Sequence, residues 1–445
     1  MPPIRSTGPT VSFRFPAGLA LAVAASSALA AEPVDLQAVR QEIAALRAAY
    51  EARLQALEER LKAAETKAAE AQAAPPAPAP APAPVVATPA AGPLLSTSLI
   101  LSGQFNASSR DPASYRIGGV ALPPDAELGL GRRSFNLGES ELGFTANVDP
   151  WWRGVANISV HGDDSLSVEE AYVQTTALDN GFNITAGRFF SGIGYLNSQH
   201  AHVWDFADAP LAYQALLGTQ FNDDGMQIKW LAPTDQFLEL GAELGRGRGF
   251  PGSDVDRNGA GAWSLFAHTG GDIGDSQSWR AGLSLLNAKA RDQGLRLPQA
   301  DGSLVDAAFT GRNRVWVADA VWKWAPNGNA TRTYFKLQGE WLRATQAGEL
   351  GGADFRARTS GGYVQAVYQF MPAWRLGLRT ERLSSAGLAE TFAPRKTSLM
   401  LDWSPSEFSR IRLQTAQDRA QPGSADREWV LQYQMSLGAH GAHSY

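Results

Sequence analysis

The chain contains no cysteine, and only 6 histidines and 5 methionines among its 445 residues. Without thiols there can be no disulfides and no thiolate metal site, so any metal would have to be held by imidazole and carboxylate. A long apolar run is also missing. Beyond the N-terminus no stretch of about 20 apolar residues occurs, which excludes a bundle of membrane-spanning helices. Charge of one sign is missing as well. Lys plus Arg number 39 against 44 Asp plus Glu, a net of −5, too small to argue for nucleic acid or another strongly charged partner. Hydrophobic residues make up 44% of the chain. That fraction suits strands that carry an apolar face on one side only.

What is present is strongly segmented. Residues 1–30 have the layout of a secretory signal: Arg5 and Arg14, an apolar centre over 17–25, and Ala28-Leu29-Ala30 as a small-x-small cleavage site. The apolar run is too short for a membrane anchor. Residues 31–73 are predicted to form a periplasmic α-helical coiled coil. Leu36, Val39, Ile43, Leu46, Tyr50, Leu54, Leu57 and Leu61 follow spacings of three and four, with one stutter between Tyr50 and Leu54. Such a helix has little core of its own, so self-association is expected, a homotrimer being the state that matches the barrel below. The bland alternative is a lone amphipathic helix. A grip on the cell wall through this segment is a second function compatible with the first. Residues 74–93, almost all Ala and Pro, read as a semi-rigid spacer.

From residue 94 to 445 the pattern has a period of two. Leu142, Phe144, Ala146 and Val148 alternate with Gly143, Thr145 and Asn147; Asp149-Pro150 breaks the run, and Trp152, Gly154, Ala156, Ile158 and Val160 resume it. Two alternating runs around a tight turn are a hairpin. Short turns recur at 148–151, 178–181, 232–235, 271–277, 325–330, 370–373 and 404–407. Between them lie longer connections near 109–132, 161–165, 189–223, 246–260, 290–312, 345–359, 384–394 and 419–426. Seven short turns interleaved with eight longer loops require sixteen strands. Tryptophans beside the turns, a final alternating run from Trp429 to Leu437 and a terminal Tyr445 complete the expectation of an all-β, transmembrane antiparallel β-barrel of about sixteen strands in the outer membrane.

The segment SVEEAYVQTTALDNGFNITAGRFFSGIGYLNS, residues 167–198, resembles the phosphate-selective porin family, in which a Glu-Ala-Tyr strand leads to a Gly-Arg-Phe end and an inward loop. The resemblance covers about thirty residues and implies a trimeric outer-membrane porin. The lysine-lined pore of phosphate-binding members is not repeated: the barrel region holds only Lys229, Lys289, Lys323, Lys336 and Lys396. Phosphate is therefore not implied.

Function is expected in the connection 189–223, which follows Arg188 and is too apolar for a free external loop, with Val203, Trp204, Phe206, Leu211, Tyr213, Leu216 and Leu217. As the third long loop it is expected to fold into the lumen as a constriction, with Arg188, Asp205 and Asp208 at the narrowing. His200 and His202 with Asp205 and Asp208 suit a divalent cation such as zinc, although a loop also uses such groups simply to bond the wall. His440 and His443 are a weaker pair. Parity places Arg375, Arg379, Arg410 and Arg412 opposite Leu376, Leu378, Ile411 and Leu413, hence toward water in the lumen, with Lys336 and Lys323 extending the basic wall. Asp205, Asp208, Asp223 and Asp224 on the loop side would oppose it and set a transverse field. The wet-pore alternative, lumen charges that only hold water, stands beside this reading.

These residues lead to a porin for passive diffusion of small hydrophilic solutes with a mild anion preference, its partners being outer-membrane lipid, those solutes and two further copies of itself. The alternative is a substrate-specific uptake channel for a zinc-like metal ion. A receptor with a plug and about 22 strands does not fit the length. A hydrolase is not expected: there is no G-x-S-x-G elbow, and His161 and His268 find no convergent triad. No cofactor is expected beyond the divalent cation.

Overall fold

The computed structural model describes residues 95–162, 164–299, 303–386 and 392–438, together with Lys62. The expected signal, spacer and coiled coil (apart from Lys62), like His440, His443 and Tyr445, lie outside the described residues. The remainder forms one closed antiparallel sheet. Its strands are β1 (Leu95–Ser108), β2 (Ser134–Leu137 and Ser140–Asn147), β3 (Trp152–Val160), β4 (Leu166–Thr175), β5 (Phe182–Phe190), β6 (Asn222–Leu231), β7 (Phe237–Gly245) and β8 (Ala262–Ile273). They continue as β9 (Gln277–Pro298), β10 (Leu304–Trp324), β11 (Tyr334–Leu350), β12 (Ala353–Met371), β13 (Trp374–Ala386), β14 (Arg395–Ser406), β15 (Ser409–Arg419) and β16 (Asp426–Gly438). The two segments of β2 both pair with β1 and together make one interrupted strand. Each strand pairs with its sequence neighbours, and β1 meets β16 from Ser98↔Gly438 to Ser108↔Glu428, so no edge is left open. Closure satisfies every ladder internally, which is the condition for crossing lipid with strands.

The barrel is inverted relative to a soluble sandwich. On β13, Leu376 and Leu378 are 44% and 52% exposed while Arg379 is 2% exposed. On β16 the outer residues are Trp429, Leu431, Tyr433, Met435 and Leu437, and the inner ones include Glu428 and Ser436. A continuous apolar outer belt over a polar interior is stable only if the belt meets hydrocarbon. Aromatic pairs sit beside the short turns: Trp374 against Trp403 with ring centroids 6.1 Å apart, and Phe182 against Trp230 at 6.4 Å. Two of those turns carry Asn-Gly, with φ of 59° and 80° at Asn180 and Gly181 and 52° and 70° at Asn327 and Gly328. Left-handed φ at both central residues is what a tightly twisted hairpin requires, and Asn-Gly adopts it most cheaply. Because Leu378 lies within the lipid belt, Leu378→Arg is expected to lower unfolding stability by about 2–4 kcal/mol, the cost of a cation near the bilayer midplane. Urea titration in phospholipid vesicles measures it, and an unchanged midpoint would place this face away from lipid.

Two of the expected long loops turn out to be strand. Residues 290–312 continue β9 and β10 as far as Pro298↔Leu304, with a register shift between Ala290 and Gln293, and residues 345–359 continue β11 and β12 to Leu350↔Ala353. Charged residues such as Arg291, Asp292, Glu349 and Asp354 hide the alternation there. Beyond the lipid belt both faces of a hairpin tolerate polar side chains, so the ladder persists without the apolar signal.

Candidate functional site

The third long loop, between β5 and β6, enters the lumen as expected and is bonded to the wall along its length. Its two ends are tied by Asn197, whose Nδ2 donates to the carbonyls of Ser191 and Phe221, each at 2.8 Å, and whose Oδ1 accepts from Phe221 N at 2.8 Å. Glu243 on β7 receives Gly192 N at 2.8 Å. Glu340 on β11 collects four donors: Tyr195 N and Leu196 N, each at 2.9 Å, Tyr213 OH at 2.7 Å and Tyr363 OH at 2.6 Å. A buried carboxylate is stable only when its lone pairs are met in this way. The loop then forms a short helix, α1 (Leu211–Leu217), whose first amide, Leu211 N, donates to Glu381 at 2.6 Å. Its apolar side chains pack on Ile117 and Val120 of the first long loop and on Leu342 and Leu383 of the wall, which fills part of the lumen on the long-loop side.

Between Trp204 and Pro210 the loop lies directly on the basic wall. Asp205 pairs with Lys336 and with Arg375 (3.2 Å) and accepts from Gln365 at 2.9 Å. Asp208 pairs with Arg379 and Lys396, each at 2.8 Å, and accepts from Gln414 at 2.7 Å. Arg410 and Arg412 donate to the backbone carbonyls of His202 and Trp204, each at 2.7 Å, and the Phe206 ring lies 4.5 Å from the Arg379 guanidinium carbon. Asp402 on β14 joins Arg412 (2.9 Å) to Arg375. Burial opposes ionisation of Asp205, but Lys336 and Arg375 outweigh it and hold its carboxyl down at about 2. Asp208 is likewise pushed below the ordinary range: burial acts against it, and Arg379 and Lys396 prevail.

This geometry corrects several expectations. The arginines do point inward, as parity requires, yet Arg379 and Arg412 are 2% and 1% exposed and face the loop rather than water. The aspartates do not confront the basic wall across a gap; they touch it. Five cations (Lys336, Arg375, Arg379, Lys396 and Arg412) pair with six carboxylates (Asp205, Asp208, Glu381, Asp402, Asp418 and Glu428), and Arg410 among them donates to the His202 carbonyl and to Gln434, so formal charges in the cluster balance six against six. Arg188 is not at the constriction. It shares a face with Phe182, Ile184 and Ala186, cross-strand from Trp230, Ile228 and Met226, and pairs with Asp224 at 2.6 Å on the outer surface. Asp223 accepts the amides of Gly247 (2.6 Å) and Arg248 (3.1 Å) and so anchors the next loop.

The histidines are redirected too. His200 and His202 stack with ring centroids 5.5 Å apart, and they meet wall glutamates rather than Asp205 and Asp208. His200 Nδ1 lies 3.0 Å from Glu141 and 3.2 Å from Glu169; its Nε2 is 2.9 Å from Glu170. His202 Nδ1 lies 3.1 Å from the same Glu141 oxygen. Burial alone would lower the His200 pKa, but Glu141, Glu169 and Glu170 together raise it well above the usual imidazole value. Glu169 and Glu170 are adjacent in sequence and would normally point to opposite faces. A register shift in the β3–β4 pair leaves Glu169 unmatched, with Asn157↔Glu170 followed by Ile158↔Val168, and both carboxylates turn inward. Sequence reasoning missed these glutamates, although the Glu-Glu-Ala-Tyr stretch that carries the family resemblance contains two of them. Glu340 was equally missed; its parity with Gln338 and Leu342 was the available signal.

Two cavities flank the histidines. One, of about 1040 Å³, opens among the short turns and is lined by Glu141, Arg153, Glu170, Lys323, Lys336 and Arg375, among others. The second, of about 400 Å³, lies toward the long loops beside Glu139, Trp204, Asp208 and Gln432. His202 lines both. Lys323 and Lys336 are cross-strand partners on the wall of the larger cavity, facing Glu141 and Glu170 from β2 and β4. Arg153 lies on the acidic side and Asp205, Asp272 and Asp275 on the basic side, so both signs line the larger cavity.

A lipid-faced barrel of sixteen strands, polar within and narrowed by its third long loop, defines a transmembrane β-barrel of the porin architecture. No family model matches the chain. A protein of Aquifex aeolicus (strain VF5), described as an uncharacterized protein, is 32% identical over 342 residues, 71% of either chain, and the present chain belongs to its family. Among solved structures, the anion-selective porin from Comamonas acidovorans is 12% identical, covers 77% of this chain with 99% of its own, and superposes with a TM-score of 0.50. A loop L8 deletion mutant of OmpT, an outer membrane protein of Vibrio cholerae, has the same coverage and TM-score at 10% identity. At these identities the likeness establishes a common barrel fold.

Proposed function

We propose that the protein is an outer-membrane channel through which small hydrophilic solutes diffuse passively. The observation that carries this reading is the pair of polar cavities, entered from opposite ends of a lipid-faced barrel and separated by the loop at His202. A lumen built only for stability would be filled to the density of an ordinary core, and this one retains solute-sized space on the short-turn side. The coiled coil over 31–73 is proposed to hold three copies together from the periplasmic side. Purified protein added to a planar bilayer should produce discrete conductance steps. A membrane that stays silent with correctly folded protein would overturn the channel.

The ionic preference is proposed to be mildly anionic. The paired cluster is neutral as a whole but uneven: near the short turns Lys336, Arg375, Arg410 and Arg412 outnumber Asp205 and Asp402, and Lys323 adds to them. The glutamates opposite limit the effect. Since each charge acts over about 8–10 Å at physiological salt, the preference should fade as salt rises. Lys323→Gln is expected to shift the reversal potential in a salt gradient toward cations. An unmoved potential would remove Lys323 from the filter.

A further inference from the structure

We infer that Glu141, His200 and His202 form a binding site for a divalent transition ion of the zinc class where the two cavities meet at His202. The donor set is that of such an ion: two imidazole nitrogens and a carboxylate oxygen, without thiols. Nδ1 of His200 and Nδ1 of His202 approach one oxygen of Glu141 at 3.0 and 3.1 Å. Ligands on a tetrahedral zinc with bonds near 2.05 Å lie roughly 3.3 Å apart, so a small outward adjustment admits the ion. All three donors lie within 4.8 Å of one another.

A second observation points the same way. Glu141 is 6% exposed, and its Oε2 sits between the two imidazoles, contacted by Nδ1 of each at 3.0 and 3.1 Å but without an aligned N–H among the described residues. A buried carboxylate oxygen shared by two imidazoles is balanced either by a proton on one ring or by a metal cation in that proton's place. The surroundings supply what a bound metal needs beyond its ligands. Glu170 takes the far nitrogen of His200 at 2.9 Å and is itself held by Asn157 Nδ2 at 2.9 Å, a carboxylate–histidine relay that fixes ring orientation. Glu169, 3.2 Å from His200 Nδ1, stands ready as a further ligand or an orienting partner. Because His202 lines both cavities, an ion can arrive from either one, and once bound it bridges the loop to β2 at a residue that the two cavities share.

Zinc binding to the full-length, tag-free protein folded in detergent tests the site without reference to conduction, so its outcome and that of the channel reading are separable. Equilibrium dialysis should give one zinc per chain, and X-ray absorption at the zinc edge should show nitrogen and oxygen neighbours at about 2.0–2.2 Å with no sulfur. His200→Ala/His202→Ala should abolish binding, and Glu169→Gln should weaken it by about 10–100-fold. Glu141→Gln, which preserves shape, should also abolish binding while circular dichroism reports an intact barrel; this variant decides the matter if the double variant does not fold. His440→Ala/His443→Ala should bind as wild type. Absence of bound zinc in the wild type overturns the proposal, as does zinc retained by Glu141→Gln in an intact barrel or lost from the His440→Ala/His443→Ala variant.

Discussion

Replacing Asp205 and Asp208 together by Asn is expected to raise single-channel conductance several-fold, because these two carboxylates tie the 204–210 stretch of the loop to the basic wall. Asp205 meets Lys336 and Arg375, and Asp208 meets Arg379 and Lys396. Arg375, Arg379 and Lys396 keep Asp402, Glu381 and the Asp418–Glu428 pair on the wall, so the double variant unties the loop while only Lys336 loses its paired carboxylate among the described residues. Acid should act on the same contacts. Asp205 has a carboxyl pKa held down at about 2 in the folded chain, against about 3.9 unfolded. A depressed carboxylate contributes its stabilisation in full above the unfolded value and loses it as pH falls toward the folded one. Conductance should therefore rise between about pH 4 and pH 2 in wild type, and the Asn variant should already be open at neutral pH. Equal conductance in wild type and variant would mean that Glu340 and Asn197, not the aspartates, hold the loop.

Lys396→Met is expected to have the largest effect on stability. The Lys396 side chain is fully buried and its ammonium lies 2.8 Å from Asp208, 3.3 Å from Asp418 and 2.7 Å from Glu428. Deleting it leaves buried Asp418 and Glu428 without a paired cation among the described residues, while Asp208 keeps Arg379. The expected loss is about 3–5 kcal/mol, read as a lower thermal unfolding midpoint and a weaker heat-resistant band on electrophoresis. Adding Glu428→Gln to the same chain removes one stranded charge and should recover part of the loss. A single variant as stable as wild type, or a double variant no better than the single, would show that the cluster tolerates the unbalanced charge.

The barrel was legible because its signals are local. Alternation at Leu142–Val148 or Trp429–Leu437 depends only on which face of a pleat each residue occupies, and Asn-Gly at 180–181 and 327–328 encodes its turn in two residues. Parity also placed Arg379, Arg410 and Arg412 inward before any fold was known. At Arg188 it is nearness in sequence to the loop that misleads, whereas parity with Phe182, Ile184 and Ala186 puts that residue on the outer face. It was silent at Glu169 and Glu170, because one unmatched residue in the β3–β4 ladder changes which face a carboxylate takes.

The sequence by itself thus determined the strand number, the turns, the lipid-facing side of each strand and the loop too apolar to remain outside. Each of these follows from interactions among residues a few positions apart. Only the tertiary structure decided which charges meet: Asp205 with Arg375 across 170 positions, Asp208 with Arg379 across 171, and His200 with the glutamates of β2 and β4 rather than with its neighbouring aspartates. Those pairings depend on closure of the ladder between β1 and β16 and on the path of one loop through the interior. A buried charge takes whichever partner the closed barrel brings within about 3 Å, because the low-dielectric interior penalises leaving it alone.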